Sequence, residues 1–143
     1  MQYREIAFGS DDYDQSLALR NEVLRIPLGL EYDTDVLEQE WADHHLCAFA
    51  LDGKLIGTLI MTPYTEHTVK MRQFAVDDAW QKQGIGTALV QYAETWAGDH
   101  GFHKIELHAR DVAVPFYLKL DYETEGDTFF EVTIPHRKMW KGI

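Results

Sequence analysis

One stretch of this sequence pairs residue types with a spacing that can do chemistry. Gln81-Lys82-Gln83-Gly84-Ile85-Gly86-Thr87 stands between an apolar strand end, Phe74-Ala75-Val76, and a run with helical apolar spacing. A polar, glycine-containing turn in that place leaves several N–H groups unpaired at a helix start, where partial positive charge also accumulates. The chemistry that suits it is capture of a phosphate or pyrophosphate by backbone amides, with little need for cationic side chains. Gly84 and Gly86 allow close approach of the main chain to such a group, and positive φ where the turn requires it. Two common phosphate motifs do not fit. A Walker loop needs a lysine ahead of its Ser or Thr, but Thr87 follows Gly86 directly, so a nucleotide-binding domain of that type is not supported. A dinucleotide fingerprint needs a third small residue at position 89, where Leu89 stands.

The elements around this turn can be read in order. Residues 3–8 alternate as a first strand, and Ser10 or Asp11 caps a helix to about Arg25, with Tyr13, Leu17, Arg20 and Leu24 on one face. Pro27 and Gly29 stop it. Residues 28–35 form a loop, either a wall of an acceptor pocket or a solvated connector, and a short acidic helix follows to about Trp41. Strands 45–51 and 55–62 are joined across Asp52-Gly53, a strong antiparallel hairpin signal. Strand 68–76 leads into the turn, and Ile85, Leu89, Tyr92, Ala93 and Trp96 mark a helix ending near 98–101. Strand 104–110 alternates cleanly, and its helical connection predicts a parallel pairing by a right-handed crossover. A helix from Val112 or Val114 to Lys119 carries Pro115 in its first turn. Residues 122–125 and 129–134, turning at Gly126-Asp127, read as a closing hairpin; the tail 137–141 receives no assignment.

Composition bounds the rest. With 143 residues, 45% hydrophobic and 13% aromatic, the chain supports one domain over 1–143 with a real core. No apolar run reaches the length of a membrane span, and Met1-Gln2-Tyr3-Arg4-Glu5 lacks the apolar core of a signal peptide. The single Cys47 can form no internal disulfide, which together with those absences predicts a cytoplasmic protein without membrane contact. Between Leu46 and Ala48-Phe49 it reads as strand filler rather than a nucleophile. The formal net charge of −11 argues against nucleic acid as a partner. It suits a cationic substrate such as an amine, or serves solubility alone.

Two separate spans then agree on one known family. Gln81-x-x-Gly84-x-Gly86 resembles the (Arg/Gln)-x-x-Gly-x-(Gly/Ala) signature of the GCN5-related N-acetyltransferases (GNAT). About 30 residues on, Ala113-Val114-Pro115-Phe116-Tyr117-Leu118-Lys119-Leu120-Asp121-Tyr122 resembles the family's Ala-x-x-x-(Phe/Tyr)-Tyr-x-Lys-x-Gly-(Phe/Tyr) block. The element order β-α-α-β-β-β-α-β-α-β-β is similar to the complete family topology. Residues 130–136, with Arg20-Asn21-Glu22-Val23, resemble a branch of small bacterial members. The resemblance implies an α/β (α+β) single-domain fold, a mixed, mostly antiparallel sheet of about seven strands with about four helices. Three departures stand out: Asp121 replaces a glycine, Arg110 stands where many members carry an Asn, and Gln81 replaces the commoner Arg.

What the resemblance implies chemically is attack of a primary amine, of a small molecule or a peptide, on the thioester of acetyl-CoA, with no metal. The cofactor-binding set it points to is Phe74, Ala75, Val76, Gln81, Lys82, Gln83, Gly84, Ile85, Gly86 and Thr87, with Arg110, Ala113 and Phe116. Phe74 and Val76 would pair their backbone with pantetheine, and a bulge near Ala75 or Val76 would free an N–H for the oxyanion. Tyr117 is the expected general acid for the departing thiolate, whose ordinary pKa is about 8.5. An alkyl ammonium, with a pKa of about 10.4, must first lose a proton. Glu106 and His108 share a strand face and are candidate bases; Glu131 and His136 compete with them and, with Leu30 and Tyr32, are expected at the acceptor. Homodimers are common in the family. The alternative reading is an acyl-CoA-binding sensor or interaction module without turnover, since fold alone does not fix function.

Overall fold

The computed structural model describes residues 1–30 and 34–143. Asp52-Gly53 makes the hairpin its sequence predicts: Gly53 takes φ 88°, and Ala50 N–H donates to the Lys54 carbonyl at 2.8 Å. The turn joins β2 (His44–Phe49) to β3 (Leu55–Pro63) in antiparallel register from His44↔Met61. β1 (Gln2–Ile6) flanks β2, and β4 (Thr68–Val76) flanks β3, both antiparallel. Helix α3 (Ile85–Asp99) then carries the chain across to β5 (Lys104–Arg110), which lies parallel to β4. β6 (Glu123–Glu131) and β7 (Ile134–Gly142) complete a seven-stranded sheet in the order β1-β2-β3-β4-β5-β7-β6.

The end of the sheet differs from the sequence reading. Gly126-Asp127 is not the hairpin turn; it lies inside β6, where the register against β7 shifts between Glu125 and Phe129. A glycine within a strand often marks such a bulge. The reversal falls instead at Val132-Thr133, with φ 46° and 64°. β-Branched residues rarely adopt that conformation, so the local signal was the wrong one to follow. The unassigned tail 137–141 is most of β7, paired with β5 from Lys104↔Gly142 to Arg110↔His136. It covers the otherwise open edge of β5.

Each sheet face has its own core. On one, Ile85, Leu89, Ala93 and Trp96 of α3 pack with Met61, Val69, Ile105 and Leu107, joined by Tyr117 and Tyr122. On the other, Tyr13 and Leu19 of α1 (Asp11–Arg20) pack with Cys47, Phe49 and Ala75. Cys47 is fully buried, and burial first of all pushes its thiol up to about 12, so it is the strand filler expected. Ser10 caps α1 by accepting from Tyr13 N–H at 3.2 Å. The helix continues as a π-turn over Asn21–Arg25 and a 3-10 turn over Ile26–Leu28, and Gly29 ends it at φ 68°.

Arg20, expected among the apolar positions of this helix, is 0% exposed because it forks both guanidinium ends onto Glu40, each at 2.8 Å. Glu40 lies in the 3-10 turn Gln39–Ala42 that follows α2 (Thr34–Glu38), and Tyr13 adds its hydroxyl at 3.0 Å. A buried charge pair holds together when its two charged ends are joined by hydrogen bonds in this way. Among the described residues no helix is long and apolar enough to cross a membrane.

Candidate active site

β4 and β5 pair only from Thr68↔Lys104 to Met71↔Leu107, and beyond that they part. A bulge helps to separate them. β3 steps two residues, from Thr58 to Ile60, while β4 steps three, from Ala75 to Arg72, and Gln73 takes φ 54°. The extra residue therefore sits at 73–74, slightly ahead of the Ala75 or Val76 position expected, after which β4 returns to its register with β3. The opening is a cleft of about 610 Å³, with Phe74 on β4, Ala109 and Arg110 on β5, and Ala113 and Tyr117 beyond them.

At the end of β4, Asp77 caps a 3-10 turn, Asp78–Trp80, by accepting from Ala79 N–H at 2.9 Å. The Gln81 amide spans the turn, donating to the Val76 carbonyl at 3.1 Å and to Asp78 Oδ1 at 2.9 Å. Its neutral side chain thus ties the loop to the strand. Lys82 and Gly84 both take positive φ, 63° and 81°. Gln83 ties back to the Ala79 carbonyl at 3.3 Å. Among the described residues no side chain caps α3, and the first bond across its start is Ala88 N–H to the Gly84 carbonyl at 3.0 Å. The amides of Ile85, Gly86 and Thr87 precede the ladder at the positive end of a four-turn helix.

The two glycines do different work, a distinction sequence reasoning did not make. A Cβ on Gly84 would meet nothing within 4 Å, so the φ of 81° is its requirement. A Cβ on Gly86 would come 3.1 Å from Phe74 Cζ and 3.5 Å from Phe116 Cζ. Gly86 therefore lets the stacked Phe74–Phe116 pair, with centroids 5.8 Å apart, press against the first turn of α3. The close approach it permits is to the protein's own aromatic rings.

Tyr117 projects from α4 (Val114–Leu118), which Pro115 starts without needing an N–H. It is buried, lines the cleft, and packs between Phe116 and Tyr122, with ring centroids at 5.0 and 5.6 Å. Burial pushes its phenol well above the ordinary value. A group so placed is neutral at physiological pH and holds a proton it can donate. The helix ends through Tyr122 N–H to the Tyr117 carbonyl at 3.1 Å, with Asp121 at φ 70°. Asp121 thus adopts the left-handed conformation a glycine would take there, one that Asp tolerates better than most residues.

The other end of the cleft gathers four of the remaining candidates. Glu131 Oε1 lies 3.2 Å from His108 Nδ1, and Glu131 Oε2 lies 3.6 Å from His136 Nε2. His136, buried, donates from Nδ1 to the Ile134 carbonyl at 2.8 Å, which leaves Nε2 toward Glu131. Glu106 is instead held by Lys104 at 3.2 Å and Lys138 at 3.7 Å. Arg110 donates to the Leu24 carbonyl at 3.3 Å, fastening the end of β5 to the segment after α1, so its bond goes to protein backbone. Leu30 lines the cleft; Tyr32 lies outside the described residues.

A family model for the acetyltransferase (GNAT) family matches residues 16–122. The chain belongs to that family. A Lactobacillus plantarum crystal structure superposes with a TM-score of 0.87 at 23% identity, covering 99% of both chains. An acyl-CoA N-acyltransferase from Pseudomonas aeruginosa does so at 0.82 and 21%, covering 98% of each. An aminoglycoside 6'-N-acetyltransferase complexed with coenzyme A gives 0.80 at 19%, covering 99% of this chain and 97% of that one. At these identities the structures establish the fold. The human N-acetyltransferase 8B is 27% identical over 89 residues, 57% of this chain, and the match spans only 39% of that relative's length.

The chemistry that names the family is acetyl transfer. The cleft also holds residues that sequence reasoning missed: Tyr64, Lys70 and Arg72 around β4, and Lys138 on β7. Lys70 and Arg72 alternate with the buried Val69 and Met71, a visible signal. Lys138 was hidden by the unassigned tail.

Proposed function

We propose that this chain transfers an acetyl group from acetyl-CoA to a primary amine of a small molecule or peptide, by direct attack on the thioester. The observation that carries the reading is the parting of β4 from β5 between an uncapped α3 start and a buried, neutral Tyr117. Acetyl-CoA as co-substrate supplies the activated acyl group. The residues present fit it. Amides of 82–87 hold its pyrophosphate without a cluster of cations, and Gly84 keeps the approach open. The β4 edge over Phe74, Ala75 and Val76 holds pantetheine as an added strand.

Tyr117 gives its proton to the departing sulfur. The bulge at 73–74 takes a backbone N–H out of the ladder to meet the developing oxyanion. Glu131 with His108 takes the proton from the incoming ammonium; Glu106, shared between two lysines, is the weaker base candidate. Much of the rate comes from holding amine and thioester in line.

Calorimetry with acetyl-CoA, followed by a thiol-release screen across amines, tests the reading. Micromolar binding with amine-dependent release supports it. Binding without release from any amine supports an acyl-CoA-binding module instead, and no binding overturns the assignment of the turn.

A further inference from the structure

The chain carries a formal net charge of −11, yet the described lining of its cleft includes Lys70, Arg72 and Lys138. The cofactor does not account for them. Lys70 stands six residues before Val76, so about 20 Å along the strand from the phosphate turn at ~3.3 Å per residue. Within residues 77–87 of that turn the one cationic side chain is the exposed Lys82, and Lys54 reaches its edge only to bridge Asp77 at 3.4 Å. Nor do neighbouring carboxylates consume them all. Lys138 shares Glu106 and Glu125, and Arg72 reaches Asp43 only at 3.8 Å. Lys70 sits over the Tyr64 ring, its Nζ 3.9 Å from the centroid, and no ion pair joins it to a carboxylate among the described residues. An ammonium with three donors and an aromatic lid, on the wall of a cleft, is a site for an anion.

The same cleft carries the opposite recognition on β5 and β6. There Glu131 and His108 offer a carboxylate and an imidazole to an ammonium. A ligand that satisfies both walls carries a positive and a negative group together.

Resting on the acetyl-transfer reading, we infer that the acceptor is an amino carboxylate: Lys70 and Arg72 bind its carboxylate, while its amine meets Glu131 and His108. A C–N bond forms as the C–S bond breaks. Of the three ammonium protons, one leaves through Glu131–His108, one stays on the amide nitrogen, and one replaces the proton that Tyr117 gives to sulfur. The overall negative charge of the protein therefore does not define its substrate; the cleft selects against simple polyamines, which bring only cations to Lys70.

The test is thiol release from acetyl-CoA with the α-amino acids, β-alanine and γ-aminobutyrate, each beside its own carboxamide. At least one acid is expected to exceed its amide in kcat/KM by roughly tenfold, the worth of one charge-assisted hydrogen bond. Lys70→Gln should remove that preference about tenfold, and Lys70→Arg should keep it. Amides used as well as or better than acids across the panel would overturn the inference while leaving acetyl transfer intact. So would an acid preference that Lys70→Gln does not change. Absence of acetyl-CoA binding in calorimetry would overturn the acetyl-transfer reading, and this one with it. If acetyl-CoA binds without release, titrating the same pairs into the protein saturated with coenzyme A decides: tighter binding of acids supports the anion site, and equal binding removes it.

Discussion

The two ends of the cleft are built on different principles. The proposed phosphate turn is local: Asp77, Gln81, Gly84 and the first residues of α3 are close neighbours in sequence, and in the proposed function backbone geometry does the binding. The acceptor end is assembled from distant segments, with Lys70 on β4, His108 on β5, Glu131 on β6, His136 and Lys138 on β7, and Leu24 and Leu30 after α1. In the proposed function side chains do its recognition. A backbone site tolerates changes of side chain and fails when φ is disturbed; a side-chain site fails when a single charge is moved.

Experiments can break or sharpen that contrast. The largest effect is expected from Arg20→Met, which strands Glu40 as a buried, unpaired charge. It should cost about 3–5 kcal/mol in urea denaturation. Because the pair secures α1 and the segment after α2, folded Arg20→Met should keep its acetyl-CoA affinity within a few-fold, and a collapse of that affinity would deny the independence of the two ends.

Tyr117→Phe comes next. Turnover should fall about hundredfold with coenzyme A affinity nearly unchanged, as expected for loss of a general acid. Full activity in the variant would remove Tyr117 from that role.

Gly84→Val and Gly86→Ala separate backbone requirement from packing. The first forces a β-branched residue to φ 81° in open space, so the loop relaxes and the acetyl-CoA Kd should rise about tenfold or more. The second presses a methyl to 3.1 Å from Phe74 and should instead lower stability by about 1 kcal/mol, with a smaller change in Kd. The reverse pattern in calorimetry and thermal melts would exchange the roles given to the two glycines.

The smallest effect is in pH. Burial by itself would raise the Glu40 carboxyl, but the hydrogen bonds and charge of Arg20, helped by Tyr13, outweigh it and hold the carboxyl below its ordinary range. A depressed carboxylate contributes stability that is complete above its unfolded pKa and lost as pH falls through the lower, folded value. Urea midpoints should therefore fall below about pH 4.5 more steeply in the wild type than in Glu40→Gln.

Much of the fold was legible because its signals are short-range. Asp52-Gly53 made its hairpin, Ser10 its cap, Pro115 its helix start, and the helix between β4 and β5 made them parallel. Asp121, the departure that questioned the block around Tyr117, takes the conformation of the glycine it replaces. Other features were illegible for physical reasons. Gly126 signals a turn, but in β6 it relieves a bulge, while the real turn uses Val132 and Thr133, which local preference argues against. Gly86 faces two rings that only the packing of β4 and α4 against α3 brings there. Arg20 fits an apolar helical face because its partner, Glu40, arrives from a segment with no local relation to it.

By itself the sequence determined the glycine-containing turn that opens α3, the order of the elements and the tyrosine at the head of the cleft. Each depends on residues near one another along the chain, where φ preferences, capping and periodicity act directly. The tertiary structure decided where β4 and β5 part, which strand closes the sheet, and the character of the acceptor end. Net charge is a sum that ignores position, and only folding sets Lys70, Arg72 and Lys138 around one cleft in an otherwise acidic protein.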